Sequence, residues 1–532
     1  MQTDSLGLNT GLASAYLVAK RSNATDNAQQ VNIKNTQQVL QIPKGEQIHL
    51  SSKCGCAGCS NQRAIIPINN QQDSSSNPVS IASPSLRFYF RSNGGLPGTS
   101  GGGTGDSGDS NVDALIQARW AISGQTSPTK TGTLIIRPGQ SIPGDGAELS
   151  DNGLISLSAA SSTKITLTYN FKDTVWDSPD FDNSQDNNGY QDITSSLQKQ
   201  AIKSALAFVS SITNLRFKEV RGSTSAHINF GNNDQTNISA GYAWSPSGGS
   251  LTQTAVLMNT DVRGGNGDFS KGTYGWHALI HEIGHALGLK HPADVNAGGG
   301  GALGPYVPDN INDNRYTIMS YEDTVGLNQP YAQSFMLGDI AALQYMYGVN
   351  LTGSTAISGK FTFGNDNYHE TIYSRKGTET IDLRGTSAEN IVDLNDGTYS
   401  TINGQENNIG IAYGSKINNV ILSTDDAIDD LVTLNTAFND RRFNKINNLT
   451  SGDKIRIDQS IYGQSLSTDN ITIGSGIRSA STADQKIIVD TRSKTIYYDA
   501  DGNGNGHTAK KIAVYTTASS FSITNSLFEF IA

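Results

Sequence analysis

The sequence predicts an α+β unit followed by an all-β unit, and three observations carry that expectation. Ile165-Thr-Leu-Thr-Tyr-Asn-Phe171 alternates apolar and polar residues as a half-buried strand does, whereas Ser196 to Ile212 repeats Leu197, Ala201, Ala205, Val209 and Ile212 at helical spacing. Beyond about Asn350 short alternating segments recur between Gly, Asn and Asp turns: Ile391-Val-Asp-Leu394, Lys454-Ile-Arg-Ile-Asp458, Lys486-Ile-Ile-Val-Asp490 and Lys511-Ile-Ala-Val-Tyr515. Finally, 56 glycines and a charged fraction of only 16% in 532 residues suit many turns and much β-structure. That length leaves room for two or three domains, each able to bury a core.

Residues 1 to about 110 are polar, rich in Asn, Gln and Ser, and close on Asn93-Gly-Gly-Leu-Pro-Gly-Thr-Ser-Gly-Gly-Gly-Thr-Gly-Asp-Ser-Gly-Asp109. That last stretch buries too little to fold and reads as a flexible, cleavable linker. All three cysteines precede it, in Lys53-Cys54-Gly-Cys56-Ala-Gly-Cys59, so no disulfide can staple the rest of the chain. After the strand and helix named above, His227-Ile-Asn-Phe-Gly231 and Gly241-Tyr-Ala-Trp244 read as inner and edge strands of one twisted sheet. An edge strand has free backbone donors and acceptors, and can hold an extended peptide by strand addition.

The densest chemistry lies in His281-Glu-Ile-Gly-His285-Ala-Leu-Gly288-Leu-Lys-His291, followed by Pro292, which contains three of the chain's eight histidines. On a helix His281 and His285 share one face, so both imidazoles reach a single Zn²⁺ and Glu282 lies beside the open coordination position. Gly288, without a Cβ, tolerates the positive φ of a sharp turn off the helix, and His291 returns as third ligand. A bare HExxH arises by accident in many helices; the correctly spaced Gly and third His in a His-poor chain argue against accident. His277, one turn earlier, reads as a structural residue. Downstream stands Tyr316-Thr-Ile-Met319-Ser-Tyr321, with one of only five methionines.

HExxHxxGxxH is the long zinc signature of the metzincin proteases. Pro292, Met319-Ser-Tyr321 and Leu337-Gly-Asp-Ile-Ala-Ala-Leu-Gln-Tyr-Met-Tyr-Gly348 bring the resemblance closest to the serralysin group, and Asn111-Val-Asp-Ala-Leu-Ile-Gln-Ala-Arg-Trp120 is similar to the start of a mature serralysin. The resemblance implies an α+β metzincin catalytic domain, a twisted mixed sheet plus a zinc-binding helix. An all-β C-terminal domain of β-roll or β-sandwich type, with degenerate repeats, follows. It implies an endopeptidase in which His281, His285 and His291 bind zinc and Glu282 is the general base. Met319 forms the Met-turn beneath them. By the same resemblance Tyr321 is expected to be an extra zinc ligand that swings away during turnover and then acts on the substrate.

Three further expectations concern cofactors and processing. Serralysin C-terminal domains carry calcium-binding nonapeptides, yet here Ser423-Thr-Asp-Asp-Ala-Ile-Asp-Asp-Leu431 is one eroded copy, and Lys376-Gly-Thr-Glu-Thr-Ile-Asp-Leu383 has Glu379 where Asp is usual. The alternating oxygens of Asp499-Ala-Asp501-Gly-Asn503-Gly504 fit a hard cation, so Ca²⁺ is expected beside Zn²⁺, with a plain Asp-Gly hairpin as the alternative. Cys54, Cys56 and Cys59 offer an inhibitory zinc ligand, as in matrix metalloproteases. A disulfide pair with a spare thiol, or a separate metal clip, is the other reading.

The expected organisation is a pro-region over 1–110, a catalytic domain over 111–350 and a β-rich domain over 351–532. Asn525-Ser-Leu-Phe-Glu529-Phe-Ile-Ala532 resembles an uncleaved type I secretion signal, and Met1 to Asn23 lacks the apolar core of a signal peptide. A secreted, extracellular monomer acting on protein or peptide substrates is therefore expected, with the type I secretion machinery as partner. No run of about 18 apolar residues spans a membrane, and a net charge of −10 argues against nucleic acid. Two other readings stay open: an inactive surface-binding protein with a protease-like fold, and an adhesion module whose working part is 351–532.

Overall fold

A computed structural model describes residues 110–116, 164–171, 191–221, 226–233, 240–244, 253–259, 268–293, 306–324 and 331–531, with breaks at 426, 436–442, 463–464 and 519–520, isolated residues 246 and 327, and five strands before residue 66. Those strands are β1 (Leu6–Thr10), β2 (Ala13–Lys20), β3 (Gln29–Val31), β4 (Gln47–Ser51) and β5 (Ala64–Ile65). They pair antiparallel in the order β1-β2-β4-β5, with β3 also on β2. Cys54, Cys56, Cys59 and the glycine-rich stretch 93–109 lie outside the described residues.

After a short helix, α1 (Ser110–Asp113), come β6 (Ile165–Asn170), β7 (Gln191–Asp192), α2 (Ser196–Ile212), β8 (Leu215–Glu219), β9 (Ile228–Asn233), β10 (Gly241–Ala243) and β11 (Thr254–Asn259). The sheet runs β10-β11-β9-β6-β8, parallel except at its β10 edge, with β7 antiparallel on β9. Thus β9 is internal and β10 is an edge, as the sequence pattern requires. α2 begins where the Ser195 side chain accepts from Gln198 N. One expectation about its buried stripe is corrected: Leu197 is 67% exposed, while Gln198 is buried and its amide donates to Asn232 Oδ1 on β9. The buried stripe runs 198, 201, 202, 205, 206, 209 and 212, and Leu197, in the helix's first turn, points to solvent.

α3 (Tyr274–Ala286) and α4 (Leu337–Tyr347) complete this unit. Both are buried nearly all round, which accounts for their weak amphipathic pattern in sequence. One continuous core joins α2, α3 and α4 to Leu167, Ile228, Phe230 and Val256 of the sheet.

The remaining strands are β12 (Lys360–Thr362), β13 (Glu370–Ile372), β14 (Thr380–Asp382), β15 (Asn390–Asp393), β16 (Tyr399–Ile402), β17 (Gln405–Ile411), β18 (Asn419–Ile421), β19 (Asp430–Thr433), β20 (Asn444–Leu449), β21 (Lys454–Asp458), β22 (Ile471–Gly474), β23 (Ile487–Asp490), β24 (Thr495–Tyr498), β25 (Lys510–Thr517) and β26 (Phe528–Ile531). They form two sheets, β12-β14-β18-β20-β25-β24-β23-β22 and β13-β17-β16-β15-β19-β21-β26. Between β14 and β21 the chain passes repeatedly from one sheet to the other. β14, β18 and β20 are parallel neighbours in the first, and β15, β19 and β21 in the second. That is a β-roll. Its interior is aliphatic, with Ile381, Val420 and Ile446 facing Val392, Val432 and Ile455 in one core.

With the nonapeptide pattern eroded, the roll's turns are held by side chains. Asp430 accepts from Asn390 Nδ2 at 2.8 Å and Ser423 N at 2.7 Å; Asp453 accepts from Asp430 N at 2.9 Å and Thr450 N at 2.7 Å. Glu379 accepts from Ser374 Oγ and Thr378 N, with Lys376 Nζ at 3.6 Å. Asp382 is bound by Arg384 and Lys360. The two units also touch: Tyr373 and Ala412 of the roll lie in the first unit's core, and Tyr399 OH donates to Arg315 O at 3.0 Å.

Candidate metal centre

α3 begins at Thr273, whose hydroxyl accepts from Trp276 N, and carries His281, Glu282 and His285 in its buried middle turns. The helix ends at Ala286, and Gly288 at φ +100° turns the chain so that His291 faces back. His281 Nδ1 donates to Ile318 O at 2.8 Å and His285 Nδ1 to Leu289 O at 2.9 Å. A proton fixed on Nδ1 leaves Nε2 a bare lone pair. Both Nε2 atoms point at His291 Nε2, at 3.2 and 3.0 Å. Burial and their mutual approach hold His281 well below the ordinary histidine range, and burial pushes His285 down to about 4. Neutral imidazoles converging on a point, oriented by carbonyls behind them, fit Zn²⁺ by donor chemistry and by outer hydrogen bonding. Among the described residues this is the one group of three His, Cys, Asp or Glu side chains so placed.

Glu282 is buried beside the trio, and burial pushes its carboxyl up to about 8. It also adjoins the sheet edge. A Cβ on Gly241 of β10 would stand 3.1 Å from Glu282 Cγ, so this glycine makes room for the carboxylate-bearing chain.

Met319 forms the floor, fully buried, its sulfur so close beneath α3 that a Cβ on Gly284 would stand 2.7 Å from it. Asp339 of α4 pins this turn: it accepts from Thr317 Oγ1 at 2.6 Å, Ile318 N at 2.8 Å and Met336 N at 2.9 Å. Burial pushes its carboxyl up to about 7 against those three hydrogen bonds. Since Ile318 also gives its carbonyl to His281, Asp339 orients a candidate ligand at one remove. Sequence reasoning assigned it no role; a lone acid in a helix otherwise apolar was the available signal. Tyr321 stands where the motif places it, its ring 4.5 Å from His291 and stacked 5.9 Å from His281. With Pro292, Ala293, Asn312 and Glu322 it lines a small cleft beside His291. His277 stays outside the trio, buried near Tyr331.

The Asp499 turn is a separate site. Asp501 Oδ2 accepts from Gly506 N and His507 N, Asp499 Oδ1 from Asp501 N, and Asn503 Nδ2 donates to Ser481 O. Burial and the approach of Asp501 raise the Asp499 carboxyl.

Comparison with known proteins bears on this geometry. The family model described as metallo-peptidase family M12 matches residues 155–335, and that described as peptidase M10 serralysin C terminal matches 345–526. The chain is serralysin-like. Serralysin A of Dickeya chrysanthemi is 33% identical over 311 residues, 54% of this chain and 62% of that protein. Metalloprotease AprA of Pseudomonas entomophila (strain L48) is 32% identical over 251 residues, 42% of this chain and 51% of that one. Serralysin of Proteus mirabilis is 32% identical over 262 residues, 42% and 52% of the two chains. The chain spans about half the length of the curated relatives it matches. The serralysin-like reading covers both the histidine-bearing unit and the roll. Among the described residues no helix is long and apolar enough to cross a membrane.

Proposed function

We propose that the chain is a secreted zinc-dependent endopeptidase, made as a latent precursor, that hydrolyses peptide bonds in protein substrates. The observation that carries this reading is the convergence of three buried imidazole nitrogens beside a buried glutamate and a sheet edge. His281, His285 and His291 would hold the ion, with Tyr321 near enough to join or leave them. Zinc, when bound, supplies Lewis acidity toward a peptide carbonyl and toward water. An extended substrate adds to the free side of β10, which lays its backbone beside Glu282. The Glu282 carboxylate accepts a proton from the attacking water and delivers it to the leaving amine nitrogen. The Tyr321 hydroxyl donates to the carbonyl oxygen as negative charge develops there. No side chain is acylated.

Casein digestion with matched zinc analysis tests this. Glu282→Gln is expected to keep its zinc and lose about 10²–10⁴-fold in rate; near-parental activity would remove Glu282 as the base.

Two hydrophobic cores, joined where Tyr373 and Ala412 enter the first, support a catalytic domain over 111–350 and a roll over 351–532. Residues 1–110 are proposed as the pro-region, with Cys54, Cys56 or Cys59 on the metal. Uncleaved protein with all three replaced by Ser is then active while the uncleaved parent is not, and equal latency in both discards the thiol. Calcium at Asp499, Asp501 and Asn503 is a separate proposal, supported by the close carboxylates and by the buried Asp501 Oδ1, which has no hydrogen-bond partner. Export as a monomer through a type I system rests on the tail sequence alone.

A further inference from the structure

Between α1 and the first break the chain makes a contact that neither the motif nor the family comparison explains. Val112, Ala114 and Leu115 are fully buried and Ile116 nearly so. Ile116 forms an antiparallel bridge with Leu289, and Leu115 O accepts from Lys290 N at 2.9 Å. On its other side Leu115 rests on α4, its Cδ1 2.9 Å from where a Cβ on Gly338 would stand. Leu289 and Lys290 are the two residues between the Gly288 turn and His291. Leu289 is also the residue whose carbonyl accepts from His285 Nδ1.

Before the glycine the turn is held by local bonds, Gly288 N to His285 O and Leu289 N to Gly284 O, both at 2.9 Å, and by Tyr347 OH of α4, which donates to Leu287 O. The Tyr347 bond holds the limb before Gly288, and a positive-φ glycine lets the chain beyond it pivot. The contact with Leu115 and Ile116 ties it to a distant part of the chain that is itself clamped against α4.

We infer that residues 112–116 are a strap that positions the metal centre, with Leu115 and Ile116 as positioning residues for His285 and His291. The strap fixes the backbone path into His291 and the carbonyl that sets the ring orientation of His285. It follows that a cut which activates the chain falls before Val112, since removing the strap would loosen two of three ligands. The inference rests on the metal-centre reading above.

The test measures zinc affinity of the full-length chain by competition with a chromophoric chelator, together with the visible spectrum of the Co²⁺-loaded protein. Leu115→Ala and Ile116→Ala are compared with Val209→Ala, an equally buried residue of α2 in the same core. The strap variants are expected to bind zinc about 10–100-fold more weakly and to shift the Co²⁺ bands, as loss of a ligand-orienting contact does. Val209→Ala is expected to lower the melting temperature while leaving both readouts at parental values. Ile116→Val, which keeps most of the side chain, is expected to restore affinity, and serves if the alanine variants do not fold. Parental zinc affinity and spectrum in a folded strap variant would overturn the strap. A parent that binds no zinc would overturn the metal-centre reading instead.

Discussion

At the end of α3 the Nε2 atoms of His281 and His285 lie 3.2 and 3.0 Å from His291 Nε2, with the protons of His281 and His285 turned away onto carbonyls. In the roll, buried carboxylates of Asp430 and Asp453 face backbone and amide N–H groups at 2.7–2.9 Å. Both regions bury polar groups, and the difference is which partners the protein itself supplies. Imidazole nitrogens converging on one point can share a single cation. Carboxylates already satisfied by donors gain little from one. Within the roll the close pair Asp499 and Asp501 leaves one buried carboxylate oxygen, Asp501 Oδ1, without a hydrogen-bond partner.

The largest expected effect breaks or keeps that comparison directly. Removing metal with a zinc-selective chelator is expected to abolish proteolysis while the far-ultraviolet β-signal persists. If EGTA, which strips calcium, unfolds the roll, its turns depend on ions after all. A rise in melting temperature on adding calcium, lost in Asp501→Asn, would locate that dependence at the Asp499 turn.

Tyr321→Phe comes next. Its ring contacts survive the change, so kcat is expected to fall by about 10²-fold, the scale of one lost oxyanion donor, with KM little changed. A pure KM effect would assign Tyr321 to substrate binding instead.

Asp430→Ala sharpens the roll's side. It strands the Ser423 N–H and one of the two N–H groups of the Asn390 amide, the other being held by Thr386 Oγ1, and each orphaned buried donor costs about 1–3 kcal/mol. Denaturant unfolding should register that loss, while zinc affinity stays parental. A drop in zinc affinity of similar size would mean that the two regions are coupled more tightly than their two cores imply.

The smallest effect is a pH dependence. Arg384, helped by Lys360, holds the Asp382 carboxyl well below the ordinary carboxylate range. A carboxyl lowered in the folded state adds stability that is fully present above the unfolded value of about 4 and is lost as pH falls through the folded one. Asp382→Asn should therefore cost more at pH 7 than at pH 3. The gap will be modest, because both cations are about half exposed. A pH-independent difference would show that hydrogen bonding alone accounts for Asp382.

The histidine ligands, the Gly288 turn and the strands at 165, 228, 241, 391 and 454 were legible because each depends on residues a few positions apart. Helical spacing puts His281 and His285 on one face, and alternation marks a strand whose sides differ in burial. Asp339 was not legible, although its segment was noticed, because its partners Thr317 and Ile318 lie in another turn. Leu197 was misplaced for a related reason: whether a helix's first turn meets the sheet depends on where the sheet ends.

By itself, then, the sequence determined which side chains are the candidates for the chemistry and the local geometry that puts two of them on one helix face. The tertiary structure alone decided what orients them: Ile318 and Leu289 carbonyls, Asp339 behind the Met-turn, and residues 115–116 against Leu289 and Lys290. It also decided that the eroded repeats still wind into a roll, with side-chain carboxylates accepting from backbone N–H groups at the turns of β19 and β21. The physical reason is common to both. A ligand set is written in spacing along one helix, whereas a hydrogen-bond partner brought from a distant segment has no period and exists only once the chain has packed.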